Sequence, residues 1–270
     1  MITLTSDKRM LGFASFEACP NISHFVTTRL GGVSTGSYGS FNCSPFTNDA
    51  PEHIRENTAL LLDGMQQKPD VLLIPHQVHR TEILHIDRPF LDLAETERRE
   101  RLEGVDALIT DQPGCCIVVS TADCIPVMLY DPQHQAIAVA HAGWRGTVAF
   151  IVAKTIERMQ QCYHTDPHCL KACIGPGISL ESFEVGEEVY DAFQAAGFPM
   201  HELAVRYEPA GKWHIDLWKA NQWQLLEAGV PASQIEISGI CTYQHPDLFF
   251  SARRLGIDSG RILSGIMLNK

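Results

Sequence analysis

Apolar residues along this chain fall in short runs bounded by turn residues. Four runs follow one another closely: VDALIT (105–110), CCIVVST (115–121), IPVMLYD (125–131) and QAIAVAHA (135–142). Their length and their β-branched content read as strands. ISHFVTTR (22–29), VLLI (71–74), TEILHID (81–87), the start of CLKACIGPGIS (169–179), 235–241 and the closing ILSGIMLN (262–269) read the same way. Helical spacing appears at 49–64, with Asp49 as N-cap, Pro51 in the first turn and Gly64 past the end. It appears again at 147–161, 186–196 and 217–228, and the charged segment 91–104 reads as a solvated helix or loop. Strands and helices alternate irregularly, without repeat or linker. That predicts an α/β domain with a mixed sheet rather than a regular doubly wound one.

Composition narrows the functional classes. The chain has 270 residues and is long enough to bury a substantial core. A net charge of -11 with no basic block argues against a broad nucleic-acid face. Nine cysteines, two of them adjacent at Cys115–Cys116, show no framework spacing, which predicts reduced thiols and a cytoplasmic location. The first twenty residues lack the basic-then-apolar layout of a signal peptide. No run approaches the ~20 apolar residues that span a bilayer.

Three places combine reactive side chains with tight turns. They are PHQVHRTE with His76 and His79, TADCIPV with Asp123 and Cys124, and HAGWRG with His141 and Arg145. Each sits at the end of a predicted strand, where the run pins the residue and the loop leaves it reachable. One cysteine and two histidines fit the ligand count of a catalytic zinc, which keeps one position open. The separations, 45 residues from His79 to Cys124 and 17 from Cys124 to His141, match no compact zinc signature. Packed core residues, a Cys124–His141 thiol dyad oriented by Asp123, and a metal centre therefore stand side by side. A multicopper centre is disfavoured, because no two of the 12 histidines are separated by a single residue. Arginines offer an anion site: Arg145 in a Gly-Trp-Arg-Gly turn, Arg29 before LGGVS, Arg253 and Arg254 after FFSA, and Arg261 after Ser259–Gly260. Arg253–Arg254 reads equally well as solvated surface.

The segments RLGGVSTGSYGSFN, HQVH, GVDALIT, ADCIPV, AHAGWRGT, CIGPGIS, FEVG and CTYQHPDLFFSARRLGIDSGR occur in this order. Together they resemble the bacterial laccase-domain, or polyphenol oxidase, family. Its members are described as purine nucleoside phosphorylases and some as peptidoglycan editing factors. The resemblance runs from about Ile22 to Lys270. It implies one domain over 1–270, with mixed β-sheets flanked by helices, distantly like cysteine-hydrolase toxin domains. It implies a metal, zinc rather than copper, on His79, Cys124 and His141. It also implies phosphorolysis of adenosine, inosine, guanosine and methylthioadenosine, with adenosine deamination as a second activity. The partners are then a purine nucleoside and phosphate, with no nucleic acid and no membrane.

On this resemblance Cys124, His141, Asp123 and Arg145 are expected to be catalytic. Arg29, His76, Arg145, Arg253 and Arg254 are expected to bind substrate or phosphate. His76 departs from the family by replacing a small polar residue before QVH. Asp123 and Glu184 are the candidates for a general acid or base. The H-x-E and P-C-x-x-C pattern of zinc deaminases is absent, so deamination would need another arrangement. The competing readings are a hydrolase using Cys124 and His141, such as a peptidoglycan-precursor amidase, and a metal-binding protein without catalytic activity.

Overall fold

Long apolar strand runs need both faces covered, and the fold meets that demand by stacking two sheets between helices. The computed structural model describes residues 1–207 and 211–270. One six-stranded sheet runs in the order Ile2–Thr3, Met10–Gly12, Ile22–Thr27, Ile262–Leu268, Cys115–Thr121, Val71–Leu73. It is antiparallel except where Val71–Leu73 lies parallel to Cys115–Thr121. The second six-stranded sheet runs Ile235–Ile237, Lys171–Ile174, Ile125–Asp131, Ala136–Ala142, Ala107–Thr110, Ile83–Ile86. It is antiparallel in its middle and parallel at both edges.

Three apolar layers result. Between the sheets lie Ile117, Val119, Ile262 and Ile266 of the first against Leu108, Met128, Ile137 and Val139 of the second. The outer face of the first sheet packs Phe25, Cys116, Val118 and Leu263 against Leu61 of the helix Pro51–Gly64. The outer face of the second packs Val127, Leu129, Ala138 and Ala140 against the helices Ile151–Tyr163, Glu187–Ala195 and Leu217–Glu227. Every residue of Ile125–Asp131, Ala136–Ala142 and Ile262–Leu268 is consequently buried.

The expected mixed α/β architecture with flanking helices is what the chain adopts. Differences lie at element ends and in short strands. Asp49 does not cap its helix: Ala50 holds that position, and the Asp49 carboxylate accepts hydrogen bonds from the Ser34 hydroxyl and the Asn42 amide. Gly64 closes the helix rather than following it. The helix expected from 147 starts at Ile151, because Phe150 sits at φ +63° and separates it from a short turn of helix, Trp144–Val148. The charged segment 91–104 divides into Arg88–Leu91 and Glu95–Arg101. A small three-stranded sheet, Glu184–Val185, Lys212–Ile215 and Ala204–Tyr207, had no sequence signal, since its outer strand is largely exposed. No disulfide links the nine cysteines. Among the described residues no helix is long and apolar enough to cross a membrane.

His24 ties the first sheet to the helix Ala14–Glu17. Buried against Phe13 and Phe16, its Nε2 accepts the Phe13 amide hydrogen at 2.7 Å. Burial pushes the imidazole down to about 4, against the opposing pull of Glu236. The unfolded chain takes up this proton at higher pH than the folded one, so stability falls as pH drops from ~6.5 towards 4, by up to ~3 kcal/mol. Urea unfolding at pH 7 and pH 4.5 is expected to show this loss, and His24→Gln is expected to flatten it. Equal slopes in both proteins would show that another group titrates.

Candidate metal centre

Antiparallel register brings the site together. Ile125 pairs with Ala142 and Pro126 with His141, so Cys124, one residue before its strand, meets Gly143, one residue after its partner. On the other side Ala107 pairs with Ala140, and the same register sets Asp106 opposite His141. The His141 amide donates to the Asp106 carbonyl at 2.8 Å. His79 arrives from the loop after Val71–Leu73. One ligand atom from each of His79, Cys124 and His141 lies within 4.8 Å of the other two. The two imidazoles meet edge to face at 4.7 Å.

Asp106 organises both histidines. Its carboxylate is fully buried and accepts His141 Nδ1–H at 2.8 Å. That bond leaves His141 Nε2 free to face the other ligands. The same carboxylate accepts three consecutive backbone amides, from Val78 at 3.3 Å, His79 at 3.0 Å and Arg80 at 2.8 Å. This nest holds His79 at φ +62°, a left-handed conformation that a non-glycine residue keeps only when its surroundings dictate it. Burial works against the Asp106 charge, yet His141 and the loop amides hold its carboxyl below the usual range.

Gly143 completes the cradle. A Cβ there would lie 2.9 Å from Cys124 Sγ, 3.1 Å from His79 Cδ2 and 3.7 Å from His141 Nε2. Its backbone, at φ -67° and ψ 166°, suits any residue, so only the space facing the three ligands requires glycine. Two imidazoles and one thiol around a gap that a methyl group would fill match the donor set of a three-ligand zinc site. Burial disfavours the Cys124 thiolate, but the charge and hydrogen bonds of His141 and His79 outweigh it and lower the thiol to about 6. Burial also opposes a charged His141, and Cys124 with Asp106 more than offsets that, raising the imidazole to about 9. Cys43, Cys115, Cys116 and Cys173 are raised by burial instead.

His79, Cys124 and His141 line a cavity of about 490 Å³ together with Tyr38, Phe46, His76, Thr121, Asp258 and Arg261 among others. Phe46 stacks on His76 at 4.7 Å with 22° between the rings, and His76 Nδ1 pairs with Glu103 at 2.7 Å. Of the expected site residues, His76, His79, Cys124 and His141 line this cavity. The others do not. Asp123 turns its carboxylate away, accepting from the Thr242 hydroxyl and the Arg253 amide, each at 2.7 Å. Arg29 spends its guanidinium on the Gly39 and Pro246 carbonyls. Arg253 donates to the carbonyl of exposed Glu184, and Arg254 to that of Tyr243. Arg145 is exposed and lies 4.3 Å over the Trp144 ring.

Asp106 and Gly143 escaped the sequence reading as site residues although both lie inside quoted motifs. The aspartate that opens the apolar run DALIT was their one signal, and its meaning depends on strand register.

The family model described as multi-copper polyphenol oxidoreductase laccase matches residues 23–269. The chain is 57% identical over 270 residues to a protein of Bacteroides thetaiotaomicron named purine nucleoside phosphorylase, covering 100% of both chains. It is 41% identical over 252 residues to a protein of an unknown prokaryote named adenosine deaminase RL5, covering 93% and 95% of the two chains. The fold superposes on the crystal structure of YlmD from Geobacillus stearothermophilus with a TM-score of 0.86 at 30% identity, over 96% and 95% of the chains.

Gly143→Ala is expected to fold with unchanged secondary structure and to bind zinc at least ~10-fold more weakly; Asp106→Asn is expected to weaken zinc ~10–100-fold. Competition with a zinc chelator measures both, and unaltered affinity in both variants would detach Asp106 and Gly143 from metal binding. In metal-free protein, alkylation of Cys124 is expected to rise through a midpoint near pH 6 instead of the ordinary 9, read by peptide mass spectrometry. Added zinc is expected to protect it.

Proposed function

We propose, from the premise that this chain belongs to the multi-copper polyphenol oxidoreductase laccase family, that it is a zinc-dependent purine nucleoside phosphorylase. It cleaves adenosine, inosine, guanosine and methylthioadenosine with phosphate and deaminates adenosine as a second activity. The family relatives named purine nucleoside phosphorylase and adenosine deaminase support this reading. The observation that carries it is the gap between His79, Cys124 and His141, which line a cavity sized for a small molecule.

His79, Cys124 and His141 would hold the zinc, which supplies Lewis acidity when bound. Asp106 keeps the His141 tautomer and the His79 loop in place before substrate arrives, so little reorganisation remains. Phe46, half-exposed in the cavity wall, offers a flat apolar face to a purine ring. His76, which lines the cavity and is held through Nδ1 by Glu103, would hydrogen-bond the base as the glycosidic bond breaks. Among the described residues Asp258 is the aspartate that lines the cavity, and Asp123 does not. Unpaired, reduced cysteines suit the cytoplasm.

One observation favours a second reading. The lowered Cys124 thiol beside a raised His141 is also the pair a thiol hydrolase uses, as an amidase acting on peptidoglycan precursors would. A single assay separates the two. Zinc-loaded protein is incubated with adenosine, with and without phosphate, and adenine, inosine and ribose-1-phosphate are quantified. The expected result is adenine with ribose-1-phosphate only when phosphate is present, falling at least ~100-fold in Cys124→Ala. No nucleoside turnover by zinc-loaded protein, together with amide hydrolysis that survives chelation, would overturn the phosphorylase in favour of the hydrolase.

A further inference from the structure

Thr121 presents an anomaly in the cavity wall. Its side chain is 1% exposed, its Oγ1 has no hydrogen-bond partner among the described residues, and it lines the cavity. A buried hydroxyl left without a partner is destabilising, and such groups are rare in a settled fold. Thr121 lines the cavity, so a turn of its χ1 would bring the closed-off hydroxyl to a ligand there as its partner.

The neighbour across the sheet is a cation. Thr121 pairs with Ile262, and the register carries Arg261 opposite Ala122, another residue of the cavity wall. Carbonyl oxygens hold the Arg261 side chain: Nη1 donates to Ser259 and Gly260 at 2.6 and 3.1 Å, and Nη2 to Ile257 at 2.8 Å. Its backbone amide donates to Asn42 Oδ1 at 3.1 Å. These bonds fix the guanidinium, yet Nε–H and one Nη2–H keep no partner among the described residues. No carboxylate lies within salt-bridge distance among the described residues; Cys124, Asp123 and Asp258 act on the charge from further off, so it is held in place without an ion-pair partner. Burial pushes the Arg261 pKa below its usual value, a cost that a bound anion would remove. The Tyr38 hydroxyl lies in the same wall and close enough to Arg261 to interact with its charge. No other arginine and no lysine lines the cavity among the described residues.

We propose that Arg261, Thr121 and Tyr38 form an oxyanion subsite in this cavity that takes inorganic phosphate. The identity of the anion rests on the phosphorylase reading; the subsite itself rests on the fixed cation and the unpartnered hydroxyl. A guanidinium and two hydroxyls, all donors, suit a tetrahedral oxyanion. They line the same cavity as His79, Cys124 and His141 and as Phe46 and His76, so anion and base would share one space.

Isothermal titration calorimetry of the purified protein with inorganic phosphate, in the absence of nucleoside, tests this. Arg261→Gln is expected to weaken phosphate binding ~10–100-fold and Thr121→Val ~3–10-fold. Thr121→Val also separates binding from folding. It removes a hydroxyl with no protein partner, so its melting temperature is expected to hold or rise while phosphate affinity falls. Unchanged phosphate affinity in folded Arg261→Gln, or in Thr121→Val, would overturn the subsite. A loss appearing in Arg145→Gln and not in Arg261→Gln would also overturn it. Phosphate binding that depends on Arg261 in a protein that never phosphorolyses a nucleoside would uphold the subsite and remove the phosphorylase reading. Phosphorolysis with a phosphate KM indifferent to Arg261 would do the reverse.

Discussion

The buried carboxylate of Asp106 is the point from which the site is built. It accepts the Nδ1–H of one histidine ligand and the backbone amide of the other, and it does so from the strand register that also aligns Cys124 with Gly143. A charge this deeply buried is tolerated only because four donors surround it: one imidazole and three loop amides. The interaction works in both directions. Asp106 gives the 78–80 loop its shape, and the loop and His141 keep Asp106 ionised. The site is therefore a cooperative unit, and loss of one member leaves the others without partners.

The sheets supply the rigidity this requires. Ile125–Asp131 and Ala136–Ala142 are buried along their whole length, with the inter-sheet layer on one side and helices on the other. Close packing on both faces fixes the strand ends to within small shifts. The ligands sit where order gives way to turn: Cys124 just before a strand, His141 just before a strand ends, His79 in a loop. Asp123, beside Cys124, serves the same purpose by a different route. At φ +85° it ties its turn to Thr242 and to the Arg253 amide, anchoring the segment that leads to Arg261.

The mixed α/β fold, its main strands and most helices were legible from hydrophobic runs and period. What failed did so for physical reasons. Helix ends depend on which group reaches the first amides, and Asp49 was drawn to Ser34 and Asn42 instead. The exposed strand Ala204–Tyr207 has too little burial to impose a pattern. His79, Cys124 and His141 stood out by residue type and turn position, but only family resemblance favoured metal over packing or a thiol dyad, since their separations match no compact signature. The arginines are hard to rank from sequence for a related reason. Residue type and a nearby glycine turn indicate that a cation is available, but not whether backbone carbonyls have already claimed it. Arg29, Arg253 and Arg254 are claimed in that way outside the cavity, whereas Arg261 is fixed within it.

The position of Ile262–Leu268 reaches into the life history of the protein. This strand lies in the middle of its sheet, between Ile22–Thr27 and Cys115–Thr121. The ribosome therefore completes His79, Cys124 and His141 well before it makes the strand that closes the first sheet. Until residue 268 has emerged, Ile22–Thr27 and Cys115–Thr121 are left with facing edges open, a state prone to wrong pairing. Assembly of the candidate metal centre thus waits on the last strand, and a truncation within that strand would harm it although it removes none of His79, Cys124 and His141.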